Sequence, residues 1–273
     1  MTLPRRLLLT AAMLPWPSLA EAQGTPTPGA SRPPIVLVHG AWMGAAVWQR
    51  TAALLTAAGH EVLAPELPAH GEDPTPASAA SLDLYVASVV AAIGDRRGVV
   101  LVGHSFGGIV ASGVAEAVPD RIRRLIYLAG YLPRSGDSAY SLSQRDPASQ
   151  VGRFWRQDDP QRYSPASIAA EGIAETFCAD CGAADAAWLV ARHRAEPVPP
   201  LATPVTLTDG RFGRVPKASI LTTQDRTISP ALQRAMAEAS GVSKVVELTS
   251  SHTPMLSAPT ALAVALAGLA QEP

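Results

Sequence analysis

Ser105 stands at the centre of Gly103-His104-Ser105-Phe106-Gly107, a G-x-S-x-G spacing set between the apolar run 99–102 and a helix-like run beginning at Ile109. A strand, tight turn and helix in that order hold a serine in a strained conformation with its hydroxyl exposed, the arrangement a nucleophile needs to attack an acyl carbon. Glycines at 103 and 107 let strand and helix approach closely. The competing explanation is a Gly-rich turn that serves packing alone. Two more residues are candidates for the same chemistry. Asp225 follows the short apolar run 218–221, and His252 follows the run 244–248 through the polar turn Thr249-Ser250-Ser251. Both therefore fall just past the carboxyl ends of expected strands, where open parallel sheets carry their ligands and catalytic groups. Asp225 also fits a turn former or a helix N-cap ahead of Pro230, and His252 also fits a surface histidine.

The segment 103–107 and its flanks resemble the α/β-hydrolase superfamily. In that fold the nucleophile, the acid and the histidine follow one another along the chain. Ser105, Asp225 and His252 keep that order. The resemblance extends to Pro33-Pro34-Ile35-Val36-Leu37-Val38-His39-Gly40-Ala41-Trp42, a β-branched strand running into a turn. It implies that the amide of Ala41, after His39-Gly40, and the amide of Phe106, after the nucleophile, form an oxyanion hole. The implied reaction is ester hydrolysis through an acyl-enzyme, with His252 as general base and acid and Asp225 fixing its tautomer. No cofactor and no metal are called for.

Within the superfamily the chain is most similar to the branch of plant esterases, methylesterases and hydroxynitrile lyases, with bacterial carboxylesterase relatives. The shared residues are His39-Gly40-Ala41-Trp42 with Trp48, Ala58-Gly59-His60-Glu61-Val62, 103–108, Thr223-Gln224-Asp225 and Ser251-His252-Thr253-Pro254-Met255-Leu256. The lyases of this branch use a threonine near the oxyanion turn and a lysine after the histidine. Gly40 and Thr253 occupy those places here, which favours hydrolysis over cyanohydrin cleavage. Cofactor-free perhydrolysis uses the same triad and stays open, as does a non-catalytic ligand receptor on the same fold. A carboxylate would be needed at 105 for dehalogenation.

The elements that must position these residues follow the same fold: a mostly parallel central sheet flanked by helices, with a helical cap insertion. A helical period over 47–58 stops at Gly59, a strand follows at 61–64, a helix at 82–93 and a strand at 122–128. From about 131 to 204 the strand rhythm ceases. That insertion carries Phe154, Trp155, Tyr163, Phe177 and Trp188, which either line a substrate pocket or form the cap's own core. Trp155, with Gly40, Trp42 and Met255, is expected to border a pocket for small to medium, apolar or aromatic esters.

Composition sets the outer limits. The 273 residues, 47% hydrophobic and 16% charged, suffice for one large core, here expected over 35–273. A formal net charge of −1 without any run of Lys and Arg gives no electrostatic basis for nucleic-acid binding. Residues 1–22 read as a signal peptide: Arg5-Arg6, a short apolar stretch too brief to span a bilayer, and Ala20-Glu21-Ala22 before the cleavage point. The paired arginines resemble a twin-arginine export signal. Export to the periplasm or medium is therefore expected, with 23–34 a flexible linker and no membrane span left after cleavage. In an oxidising compartment Cys178-Ala179-Asp180-Cys181 reads as a structural pair, bonded or free, in preference to a redox centre. No pattern of residues sets an oligomeric state.

Overall fold

Strands buried on both faces read as unbroken apolar runs, and the first of them, β1 (Ile35–Val38), has all four residues buried. The computed structural model describes residues 32–272; the expected leader and residues 23–31 of the linker lie outside them. After β1 come α1 (Gln49–Ala57), β2 (Val62–Leu63), α2 (Leu82–Ile93), β3 (Val99–His104), α3 (Gly107–Ala117) and β4 (Ile122–Leu128). Next is the insertion, made of α4 (Ala139–Ser143), α5 (Val151–Phe154), β5 (Trp155–Gln157), β6 (Ala166–Ile168), α6 (Ala170–Phe177), α7 (Ala183–Arg192) and α8 (Val198–Ala202). The core then resumes with β7 (Lys217–Thr222), α9 (Pro230–Ala239), β8 (Lys244–Leu248), α10 (Pro254–Ser257) and α11 (Pro259–Gln271).

Six strands form one sheet in the order β2-β1-β3-β4-β7-β8, with every neighbouring pair parallel. All six residues of the central β3 are buried. Each such Val or Leu contributes roughly 1.5–3 kcal/mol relative to exposure, so the middle of the sheet is its firmest part. At the margin, β8 (Lys-Val-Val-Glu-Leu) buries only Leu248, and its charged residues keep the open edge soluble. Helix boundaries follow local chemistry. The Ser81 side chain accepts from the Leu84 amide to start α2, and Ser229 accepts from Leu232 to start α9 with Pro230 in its first turn.

β3 runs two residues further than its apolar segment suggests, and α3 begins at Gly107 rather than at Ile109. The turn between them is left with only Ser105 and Phe106. Contacts across it explain the two glycines: a Cβ on Gly103 would sit 2.5 Å from the Gly107 carbonyl oxygen, and one on Gly107 would sit 2.6 Å from that of His39.

The insertion differs from an all-helical cap. β5 and β6 pair antiparallel, and Glu196 extends the ribbon by bridging to Ala166. Cys178 and Cys181 are disulfide-bonded, closing a short ring at the end of α6. Among the described residues, no helix is long and apolar enough to cross a membrane.

Candidate active site

Ser105 has φ +55°, a left-handed backbone that a non-glycine residue keeps only when its surroundings enforce it. Three main-chain bonds do so. The Ser105 amide donates to the Leu128 carbonyl at 3.2 Å, while the Ser105 carbonyl accepts from Gly108 at 3.0 Å and Tyr131 at 3.1 Å. The turn is thus braced by β4 on one side and by α3 on the other. Ser105 is mostly buried and borders a cavity of about 620 Å³.

Asp225 and His252 meet at the other end of the sheet's carboxyl edge. His252 Nδ1 donates to Asp225 Oδ2 at 2.8 Å, with both side chains fully buried. The carboxylate is saturated by donors. Oδ1 accepts from the Thr227 and Ile228 amides at 2.7 and 3.0 Å, and Oδ2 also accepts from Thr222 Oγ1 and Gln233 Nε2, each at 2.9 Å. Asp225 is therefore a turn former and the partner of His252 at once. A proton on Nδ1 leaves Nε2 as the basic atom of the ring, and Nε2 is buried with no hydrogen-bond partner among the described residues.

His104 ties the serine turn to the histidine loop. Its Nε2 donates to the His252 carbonyl at 2.9 Å, and the two rings lie 4.7 Å apart. Burial, reinforced by the neighbouring His252, holds His104 well below the usual histidine range, so it is a neutral strut. No hydrogen bond joins Ser105 to His252. Such bonds are commonly long in free enzymes and tighten when substrate binds.

The amides of Ala41 and Phe106 have no acceptor among the described residues, and both residues border the cavity beside Ser105. Trp42 and Trp155 line it too, edge to face with ring centroids 5.8 Å apart. Gly40 and Met255, expected with them, do not. Met255 is fully buried in the core, and Gly40 backs directly onto the Ser105 Cβ. The other cap aromatics divide by position. Phe177 packs against Trp42 and His252, Phe154 fills the space over Gly172, Trp188 lies under the Arg192 guanidinium, and Tyr163 is exposed.

Several contributors carry no signal of their own in the sequence. Tyr131 lines the cavity, and its phenol is raised by burial and by Asp146 and Asp225, so it stays neutral. Asp180, within the disulfide ring, accepts from the Ser251 amide at 3.0 Å and from the Ser251 hydroxyl. The Phe177 carbonyl accepts from Thr253 Oγ1 at 2.8 Å, so the cap grips His252 from both flanks. Only the Cys-x-x-Cys spacing hinted at this clamp.

Comparison with known proteins agrees with the architecture. A profile described as "Alpha/beta hydrolase family" matches residues 35–265. A "Pyrethroid hydrolase" of Sphingobium wenxiniae is 29% identical over 247 residues, 88% of each chain. A "Carbendazim hydrolyzing esterase" of Nocardioides sp. is 40% identical over a shorter stretch of 110 residues, which spans 39% of this chain and 46% of that protein. Among solved structures, an extracellular alpha/beta-hydrolase from a Paenibacillus species superposes with a TM-score of 0.74 at 25% identity, covering 88% of this chain and 100% of that one.

Proposed function

This chain belongs to the alpha/beta hydrolase family, and from that premise we propose that it is a serine hydrolase cleaving carboxylic esters of small to medium, apolar or aromatic substrates. The observation that carries the reading is the strained Ser105 beside two free amides, with a buried Asp225–His252 pair tied to the same turn through His104. Ser105 Oγ attacks the ester carbon while His252 Nε2 takes its proton, and Asp225 stabilises the imidazolium that forms. The Ala41 and Phe106 amides receive the developing oxyanion, each such donor being worth on the order of 3 kcal/mol of barrier. His252 then returns the proton to the leaving alcohol. A water activated by the same ring hydrolyses the acyl-enzyme and frees Ser105.

The lining of the cavity supports the substrate class. Trp42, Phe106, Trp155, Val151 and Leu201 offer apolar walls, with a few polar groups such as Tyr131 between them. Relatives named for pyrethroid and carbendazim hydrolysis fit an aromatic preference. Cyanohydrin cleavage is disfavoured by sterics as well as by residue type: a Cβ at Gly40 would lie 2.7 Å from the Ser105 Cβ, leaving no room for the lyase threonine on this backbone. The protein is further proposed to act after export, as the residues preceding 23 suggest.

The test is a panel of short-chain aryl and alkyl esters with the wild type and Ser105→Ala. Turnover by the variant should fall by roughly 10⁴-fold or more with the fold intact. A fluorophosphonate probe should label Ser105 of the wild type alone. A folded Ser105→Ala variant with wild-type turnover would refute the scheme.

A further inference from the structure

The oxyanion turn is held from above by a buried charge that the catalytic scheme does not use. Glu196, fully buried, is pinned to β6 by a pair of main-chain bonds with Ala166, 2.8 and 2.9 Å long. Its Oε2 accepts from the Trp42 amide at 2.8 Å and pairs with His70 Nε2 at 2.8 Å. Two residues earlier, the Arg194 amide donates to the Trp42 carbonyl at 3.2 Å. One cap segment therefore takes hold of both main-chain polar groups of Trp42.

Trp42 needs that hold. Its φ is +60°, a left-handed conformation that costs a bulky residue about 1–2 kcal/mol and persists only under external constraint. The peptide bonded to Glu196 joins Ala41 to Trp42, and the free Ala41 amide lies one Cα away from it. Any rotation there re-aims the amide. We propose that Glu196, paired with His70, is a positioning residue for the oxyanion hole, setting the direction of the Ala41 N–H through the Trp42 amide. The inference rests on the role given above to Ser105 and Ala41.

The charge state is integral to the device. His70 Nδ1 faces the Pro68 carbonyl at 3.0 Å, which can only accept, so Nδ1 carries a proton. Nε2 must donate as well if Glu196 Oε2 is to serve both it and the Trp42 amide as a carboxylate oxygen. The pair is then imidazolium and carboxylate. Burial lowers the His70 pKa, but Glu196, the Pro68 carbonyl and Glu66 together raise it above the ordinary value. Glu196 Oε1 has no partner among the described residues, so all the compensation for this buried charge converges on Oε2. Glu196→Gln makes the two bonds incompatible: with His70 neutral, an amide oxygen turned to Trp42 meets an unprotonated Nε2, and an amide nitrogen turned to His70 orphans the Trp42 N–H.

The experiment measures p-nitrophenyl acetate hydrolysis together with inhibition by two ketones of one shape. Trifluoroacetophenone adds to a nucleophilic serine and places an oxyanion in the hole, whereas acetophenone binds without addition. In folded Glu196→Gln, kcat/KM should fall by roughly tenfold to a hundredfold, and Ki for trifluoroacetophenone should rise by a similar factor. Acetophenone affinity should stay within about twofold, because binding that does not reach the hole is untouched. Unchanged kcat/KM, or equal weakening of both ketones, would overturn the proposal. If Glu196→Gln does not fold, Glu196→Asp, which keeps the charge but draws the carboxylate one methylene back from the Trp42 amide, is read by the same criteria. Ser105→Ala assayed alongside separates the two possible failures. Turnover retained by that variant sinks the reading of the site, whereas an inactive Ser105→Ala beside a fully active Glu196→Gln sinks this inference alone.

Discussion

The two halves of the site are built by different means. The core supplies Ser105, Asp225 and His252 from the ends of β3, β7 and β8, so their directions are set by neighbouring parallel strands, with one register shift at the start of β3 between Val99 and Val100. The cap supplies short helices, a two-stranded ribbon and a disulfide ring, and it reaches the site through a few local hydrogen bonds: Glu196 and Arg194 on Trp42, Asp180 on Ser251, the Phe177 carbonyl on Thr253. Strand ends place the proposed catalytic groups. Point clamps trim them. Damage to the first should abolish turnover, and damage to the second should reduce it or loosen the fold.

The sharpest way to test that division lies in the core. Asp225→Asn preserves the shape of a side chain that accepts from four donors besides His252, yet it destroys the preference for an Nδ1 proton. We expect kcat for a short aryl ester to fall about 10⁴-fold, with an unchanged circular dichroism spectrum. A loss comparable to that of a cap variant would erase the distinction.

A middle-sized effect is expected in the cap. Replacing both Cys178 and Cys181 by serine opens a small ring, for which chain entropy gives about 2 kcal/mol of stability. In a chain of this size that corresponds to a midpoint about 4–8 °C lower by calorimetry. Some loss of kcat should accompany it, since Asp180 sits inside the ring and holds the residue before His252. Full retention of both would mean that the ring is ornamental.

The smallest effect concerns an exposed link between the halves. Arg50 of α1 and Asp185 of α7 form a two-pronged ion pair at the surface. Arg50→Ala should change stability by less than about 1 kcal/mol, measured by denaturant unfolding, and leave kcat unaltered. A larger shift would mean that the cap is docked by surface charge as much as by the buried Glu196–His70 contact.

The same division governs what the sequence discloses. β1 and β4 end where their apolar runs end, because interior strands of a parallel sheet carry their burial in largely consecutive residues. Ser105, Asp225 and His252 are legible as residues just past such runs. The cap offers no comparable regularity. β5 is three residues long, too short for an alternation to register, and α8 begins with Pro199 and Pro200 in its first turn, where a proline cluster reads as loop. Glu196 lies in Arg194-Ala195-Glu196-Pro197, which has the look of a solvated segment, and its partners Trp42 and His70 are more than a hundred residues away. Met255 shows the converse error: nearness to His252 in sequence suggested the pocket wall, while its side chain turns into the core.

A roof fastened to both Trp42 and His252 is a poor door. Swinging it aside would release the turn beneath Ala41 and the loop bearing the imidazole together, dismantling the apparatus at each opening. Traffic is better served by a fixed portal, and Tyr140, exposed and lining the same cavity, stands where one would lie. Side-chain swivelling there would admit an ester and discharge an alcohol while the chemistry remains assembled from one turnover to the next.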